Sequence, residues 1–224
     1  MNKLLVFLCV VLLFFGFVGM ANATLLDRGG GLIYDDVKDI TWLQDANYAK
    51  TSGYDLDGKM TWDNAVAWAD QLVYGGYDDW RLPTTLDGPF VLGYDGTTTA
   101  GFNITSSEMG YMYYVNLGNL GYYDTSGSGP QPGWGLNKTS PFTNLRPDYY
   151  WSGTEYAASP DLAWDFGFYD GVQDYDDKGY GYYAWALRPG DVSAPVPEPA
   201  TMLLLGTGLA GLGIFRKKIR RRHG

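Results

Sequence analysis

The stretch that decides the fold is YGGYDDWRLPTTLD, residues 74–87. Within it, Trp80 and Leu82 alternate with Arg81, a spacing that predicts a short strand with two side chains in a hydrophobic core. Pro83 then ends the strand, because proline disfavours regular continuation of the chain around it. We therefore expect the chain to enter the core at Trp80 and to leave it at Pro83.

Arg81 is the residue of this stretch that needs an explanation. A guanidinium group beside a buried tryptophan is costly unless an acidic group pairs with it. Asp78 and Asp79 lie close by in the sequence, and we expect one of them to supply that pair. The pattern favours a structural ion pair, and a ligand-binding arginine is the alternative.

Local patterns on both sides of this stretch predict the remaining strands and helices. Two apolar segments around a polar turn in residues 32–43 predict a β-hairpin. Residues 61–76 predict a helix that two glycines end, and residues 106–119 predict a second helix that Ser106 caps. In the last third, aromatic-rich segments flank Asp170–Gly171, a typical hairpin turn. Two short helices followed by a β-rich second half predict an α+β domain.

Three groups of motifs together resemble a known bacterial family. They are TWDNAVAWADQL…GGYDDWRLPT, SSEMGYMYYVNLGN and YWSGTEY…AWDFGFYDG…YYAWALRPG. They resemble the C-terminal domains of bacterial collagen-like adhesins, the Lcl C-terminal type, over residues 24–189. The resemblance implies an irregular fold related to C-type lectins, with small helices, a twisted antiparallel sheet and long loops. It also implies binding to surface glycans rather than catalysis.

The charge and the rare residues of the body exclude several functions. Residues 24–195 contain nine basic and 24 acidic residues, a formal charge of −15. Such a surface repels nucleic acid and suits neutral glycans, cationic partners or divalent cations. The only histidine lies at position 223 and the only cysteine at position 9. The body therefore has no Ser–His–Asp triad, no His-bound zinc site and no disulfide, and we expect no enzyme.

Two features of the body are candidate binding sites. Trp134, in the loop QPGWGLN, is the tryptophan that we expect to be exposed, and an exposed aromatic ring can stack on a sugar. Asp170, Asp174, Asp176 and Asp177 repel one another within eight residues, and calcium would relieve that repulsion. Solvated loop charges are the default interpretation of this cluster, so we expect no cofactor, and calcium binding is the alternative. The other seven tryptophans fit core positions: Trp42, Trp62, Trp68, Trp80, Trp151, Trp164 and Trp185.

The two ends of the chain carry targeting signals. Residues 1–23 predict a signal peptide, because a lysine and an apolar run precede the small-residue cleavage motif ANA. Residues 190–199 predict a proline-rich linker, and residues 200–215 an apolar helix that is short for a membrane span. The basic run RKKIRRR follows this helix and predicts that its end stays in the cytoplasm.

The C-terminal order of motifs resembles the PEP-CTERM sorting signal, over residues 197–222. The resemblance implies recognition by an exosortase in Gram-negative bacteria that make exopolysaccharide. The chain would cross the inner membrane with its body outside, then be cut and moved to the cell surface or extracellular matrix. The residues that carry this signal are Pro197, Glu198, Pro199, Arg216, Lys217 and Lys218.

Taken together, the sequence predicts an exported, non-catalytic glycan-binding or adhesion module. Its expected partners are an exosortase, a cell-surface or matrix polysaccharide, and the membrane through the C-terminal helix before processing. The candidate binding residues are Trp134, Arg81, Asp174, Asp176 and Asp177. A structural matrix protein without a specific ligand is the alternative.

Overall fold

The computed structural model describes residues 24–192. The expected signal peptide, the linker from residue 193 onward and the sorting segment with its apolar helix at 200–215 lie outside these residues. Within the part of the chain that the structure describes, no helix has both the length and the apolar character needed to cross a membrane.

The domain is α+β and consists mostly of strands, which confirms the predicted class. Three short α-helices occur in the described residues instead of the two expected, and the third continues into a π-helical turn, Met112–Asn116. In chain order, β1–β11 are Leu25–Gly29, Leu32–Asp35, Ile40–Leu43, Lys59–Met60, Leu92–Gly93, Ala100–Gly101, Tyr149–Glu155, Leu162–Gly167, Gln173–Asp177, Tyr182–Tyr183 and Leu187–Pro189. Helices α1–α3 are Tyr48–Thr51, Trp62–Asp70 and Glu108–Tyr111.

The strands form two sheets. The smaller sheet is antiparallel, in the order β1-β2-β3-β11, so the first and last strands belong to the same sheet. The larger sheet has the order β4-β10-β7-β8-β9-β6-β5. It is mixed rather than purely antiparallel, because β10 pairs with β7, and β5 with β6, in parallel.

Two of the local predictions match the structure closely, whereas the helix predicted in residues 61–76 is shorter, because α2 covers Trp62–Asp70 and ends before the two glycines. The hairpin predicted in residues 32–43 is β2–β3, with Leu32 opposite Leu43. The Asp170–Gly171 turn joins β8 and β9, and Gly171 has the positive φ of 86° that such a turn requires. The second of the two predicted helices is α3, and Ser107 rather than Ser106 caps it, since the Ser107 hydroxyl accepts a bond from the N–H of Gly110.

One hydrophobic core joins the two sheets and the helices. The rings of Trp42 in β3 and Trp185 lie 4.4 Å apart at its centre. Six of the seven tryptophans predicted to be in the core are buried. The seventh, Trp62, is half-buried, with the ammonium group of Lys178 4.2 Å from its ring centre. The Nε1 of Trp62 donates a hydrogen bond to the carbonyl of Ser152 in β7, so it still connects helix and sheet.

Candidate functional site

Arg81 connects the DWRLP segment to helix α3. Its guanidinium donates two bonds to Glu108, from Nη1 to Oε2 at 2.7 Å and from Nη2 to Oε1 at 2.8 Å. The same carboxylate accepts bonds from the N–H of Thr84 at 2.6 Å and from its hydroxyl at 3.1 Å. The backbone of Arg81 also pairs with Leu187 in β11, in both directions. The segment is therefore fixed to both a helix and a strand.

The expectation that Asp78 or Asp79 would pair with Arg81 is wrong. Asp78 is exposed, and Asp79 accepts bonds from Arg188 at 2.6 and 2.8 Å, which lower the pKa of its carboxyl. The reason is geometric, because the pairing of Arg81 with Leu187 brings Asp79 beside the next residue of β11. The acid that pairs with Arg81 comes from a helix 27 residues further along the chain.

The surroundings of Arg81 leave little room for a ligand. A cavity of about 120 Å³ lies beside it, lined by Val66, Asp70, Arg81, Leu82, Thr84 and Gly153. Ligand pockets usually measure about 300–1,000 Å³. The charge of Arg81 is satisfied within the fold, and the cavity beside it is smaller than a usual ligand pocket.

Trp134 lies at the surface between two tyrosine rings. The ring of Tyr122 is 4.9 Å away, and that of Tyr169 is 5.3 Å away at an interplanar angle of 86°. Trp134 is half-buried, whereas Tyr169, which follows β8, is 52% exposed. We call Tyr122, Trp134 and Tyr169 the aromatic patch.

Hydrogen bonds hold the loop that carries Trp134. The side-chain amide of Asn137 donates to three successive carbonyls, those of residues 133, 134 and 135, at 3.0, 3.1 and 3.2 Å. The side-chain amide of Gln131 donates to the carbonyl of Gly121 at 2.7 Å. The N–H of Gly135 donates to the carbonyl of Leu120 at 2.9 Å. The loop is thus fixed on both sides of the tryptophan, without help from a ligand.

The acidic residues of the β8–β9 hairpin separate into two groups. Asp165 in β8 lies opposite Asp174 in β9, and opposite residues of paired strands point to the same face of a sheet. Asp176, two residues after Asp174, shares that face. Asp177 ends the strand, and its carboxylate accepts a bond from the N–H of Gly179 at 2.7 Å. Two of the three predicted acids therefore lie together with Asp165, which sequence reasoning missed.

Asp165 is the most unusual charged residue of the domain. It is 1% exposed, and among residues 24–192 neither of its carboxyl oxygens has a hydrogen-bond partner. Burial raises its pKa well above the ordinary value, and the nearby carboxylates of Asp176, Asp174 and Asp170 raise it further. Burial likewise raises the pKa of Asp170 and of Asp174. The only sequence signal was an acid in the middle of the buried strand LAWDFG.

Aromatic rings lie on the same face as these acids. The ring of Tyr182 is 5.2 Å from Tyr149, nearly parallel to it at 25°, and 4.6 Å from Trp151. Its hydroxyl donates a bond of 2.6 Å to Asp176. We call Asp165, Asp174, Asp176, Tyr149 and Tyr182 the acidic face.

The acidic face and the aromatic patch adjoin each other at the hairpin turn. Tyr169 of the patch is followed directly by Asp170. A Cβ atom placed on Gly167 would lie 2.9 Å from Asp170 Oδ1 and 3.2 Å from Tyr149 Cε1. Asp170 is therefore a near neighbour of the acidic face, and the two surfaces are parts of one region around the β8–β9 hairpin.

The acidic residues of this region do not form a metal-binding site among residues 24–192. In the span from residue 24 to residue 192, no group of three or more His, Cys, Asp or Glu side chains is placed to hold a metal. The acidic side chains considered as calcium ligands therefore form no such group among these residues.

A shallow cleft lies on the opposite side of β9, and sequence reasoning missed it because two distant loops form it. Its volume is about 620 Å³, within the range of ligand pockets. The ring of Tyr175 contacts Phe90 at 4.8 Å and Tyr156 at 4.5 Å. The carboxylate of Asp87 accepts a bond of 2.8 Å from the indole of Trp164. The cleft is lined by Asp87, Gly88, Pro89, Phe90, Tyr156, Ala157 and Ala158.

Comparison with known proteins agrees with this architecture. The model of the Lcl C-terminal domain family matches residues 31–188, more than half of the chain. The chain belongs to the Lcl C-terminal domain family. The match includes the DWRLP segment, the aromatic patch and the acidic face. No curated protein matches the chain, and no solved structure does.

The second family match lies at the C-terminus of this Lcl-type chain. The PEP-CTERM protein-sorting motif matches residues 195–218, outside the described residues. The motif implies an exported surface protein that an exosortase processes. The prediction of an exported surface protein that an exosortase processes is therefore confirmed. The motif does not identify a ligand.

Proposed function

We propose that this protein is a non-catalytic glycan-binding module, with a C-type-lectin-like fold, that is displayed on the cell surface or in an exopolysaccharide matrix. The observation that carries the proposal is the aromatic patch, in which a loop fixed by hydrogen bonds presents Trp134 beside the exposed ring of Tyr169. Pyranose rings stack their C–H faces on such side chains. A fixed loop loses little conformational freedom on binding, so more of the stacking energy remains as affinity.

The finer fold assignment rests on the irregularity of the domain. Several strands have only two residues, long segments between the strands have no regular structure, and the first and last strands share a sheet. A binding role also fits the family matches, since neither indicates an enzyme. The proposed partners are a surface or matrix polysaccharide and, before processing, an exosortase and the inner membrane, with the body outside.

A glycan array tests the proposal. We expect Trp134→Ala and Tyr169→Ala each to reduce the affinity for bound glycans by about fivefold, because one aromatic stacking contact contributes about 1 kcal/mol. Tyr54→Ala is the matched control, since Tyr54 is exposed to the same 52% as Tyr169. Loss of binding in Tyr156→Ala, with normal binding in Trp134→Ala, would move the site to the cleft. Equal losses in Tyr54→Ala and Tyr169→Ala would contradict the proposal.

A structural matrix protein without a specific ligand is the second candidate, and one surface favours it. Leu86, Val91 and Leu92 are 64%, 50% and 54% exposed, and β5 is the outer strand of the larger sheet. An exposed apolar edge strand is a site for pairing with another chain. Sedimentation analysis separates the two candidates, because self-association that Leu92→Lys removes, together with a blank array, would favour the matrix protein.

A further inference from the structure

The acidic face has an unpartnered, buried carboxyl group at its centre, within the part of the chain that the structure describes. Asp165 is buried, both of its oxygens lack partners, and Asp174 and Asp176 lie beside it. The five ion pairs formed within residues 24–192 use other carboxylates: those of Asp79, Glu108, Asp148, Glu155 and Asp191. A buried carboxyl group without a donor or a counter-charge is costly, and each such group in a native protein calls for an explanation.

The aromatic side chains of this face add a second attraction for positive charge. Tyr149 and Tyr182 lie nearly parallel on the face, and Tyr180 stacks on Tyr182 and is 54% exposed. The π-face of an aromatic ring attracts a cation. The hydroxyl of Tyr182 donates to Asp176, which fixes the carboxylate while leaving its second oxygen for another donor.

We propose that the acidic face binds protonated amino groups, and that the polysaccharide recognised by this module contains amino sugars with free amines. This inference rests on the proposed glycan-binding function and names its ligand class. An ammonium group supplies three N–H donors and one positive charge, and it needs no converging set of ligands as a metal ion does. The aromatic patch would stack on sugar rings while the adjoining acidic face holds their amines.

The position of Gly167 explains how one chain of sugars spans both surfaces. Gly167 lies between Asp170 and the ring of Tyr149, and it carries no side chain to separate them. Tyr169 then continues the surface toward Trp134. The negative charge of the whole body, −15 over residues 24–195, favours the approach of a polycation at long range.

Calorimetric titration of the full chain with two matched sugars tests the inference. The probes are the β-1,4-linked pentamer of glucosamine and the same pentamer with every amine acetylated. We expect the free-amine pentamer to bind at least tenfold more tightly at low salt and to lose much of this preference in high salt, because salt screens charge pairs. Asp174→Asn and Asp176→Asn should each weaken only the free-amine pentamer, by about tenfold, the usual scale for one charged hydrogen bond.

Asp177→Asn is the matched control. It removes the same charge from the same hairpin but outside the acidic face, and the asparagine oxygen can still accept the bond from Gly179. Equal affinity for both pentamers, or equal effects of Asp177→Asn and Asp174→Asn, would overturn the inference. If both pentamers bind equally and Trp134→Ala weakens both, glycan binding stands and the amine preference is wrong. If neither binds and the array is blank, both proposals fail, whereas equally tight binding of pentalysine would overturn the sugar assignment alone.

Discussion

The ion pair of Arg81 and Glu108 should be the strongest charge coupling among those formed in the described residues. We propose a double-mutant cycle with Arg81→Met, Glu108→Gln and the double variant. The cycle measures the interaction between the two side chains, because effects of each residue on the rest of the protein cancel. Urea unfolding of the chain, followed by tryptophan fluorescence, gives the free energy of unfolding of each variant.

The expected coupling follows from geometry and exposure. Two short bonds join the groups, and the side chain of Glu108 is 15% exposed while that of Arg81 is 35% exposed. Exposed pairs usually contribute about 0.2–1 kcal/mol. Removal of one member of a fully buried pair costs about 3–5 kcal/mol. We therefore expect a coupling of about 2 kcal/mol for this half-buried pair, whose carboxylate is also fixed by two bonds from Thr84.

The pair of Arg28 and Asp191 is the matched control. It is also joined by two bonds, at 2.8 and 2.6 Å, but its carboxylate side chain is 39% exposed. We expect a coupling of at most about 1 kcal/mol for this pair. Equal couplings for both pairs, or less than about 0.5 kcal/mol for Arg81 and Glu108, would refute the view that this contact anchors the DWRLP segment.

Three further predictions concern the buried acid, a close backbone contact and the C-terminus. Burial raises the pKa of Asp165, so its contribution to stability is present below about pH 3.9 and is lost as the pH rises through the folded pKa. The free energy of unfolding of Asp165→Asn should therefore rise relative to that of the wild type as the pH rises from 4 to 7, by up to about 1.4 kcal/mol per pH unit. A difference in urea unfolding that stays constant with pH would contradict this. Gly101→Ala should lower the free energy of unfolding by about 3 kcal/mol, since Gly101 has φ 108° and a Cβ there would lie 2.0 Å from the carbonyl oxygen of Gly93. The control, Gly30→Ala, has open space around the new Cβ and should lower it by about 1 kcal/mol. Mass spectrometry of the mature protein should find the chain cut near residues 197–199, and an intact residue 224 would contradict exosortase processing.

Short-range patterns allowed much of the fold to be predicted from the sequence. The hairpin at residues 32–43, the helix α2 and the turn at Asp170–Gly171 depend on neighbouring residues, whose spacing is visible in one dimension. The order of the larger sheet could not be predicted in this way. It depends on pairings such as Tyr182 with Met60, which are far apart in the chain and have no local signature.

In the candidate site, too, local features could be predicted from the sequence and contacts between distant residues could not. Trp134 was singled out because its glycine-rich loop has no core pattern, and the structure places it at the surface but half-buried rather than exposed. The partner of Arg81 was assigned wrongly because proximity in sequence favoured Asp78 and Asp79 over a residue in a different element. Asp165 was missed because its burial without hydrogen-bond partners becomes visible only when β8 is placed between β7 and β9.

The position of β11 has a mechanical consequence for a protein held at its C-terminal end. Tension on that end reaches β11 first, and this strand pairs antiparallel with β3 on one side and with the backbone of Arg81 on the other. The bonds to both neighbours run across the strand, so a pull along it loads them together in shear rather than opening them one by one. The ion pairs of Arg188 with Asp79 and of Asp191 with Arg28 also stabilise this end of the strand. We expect the domain to resist unfolding when force acts between its C-terminal end and the β8–β9 hairpin.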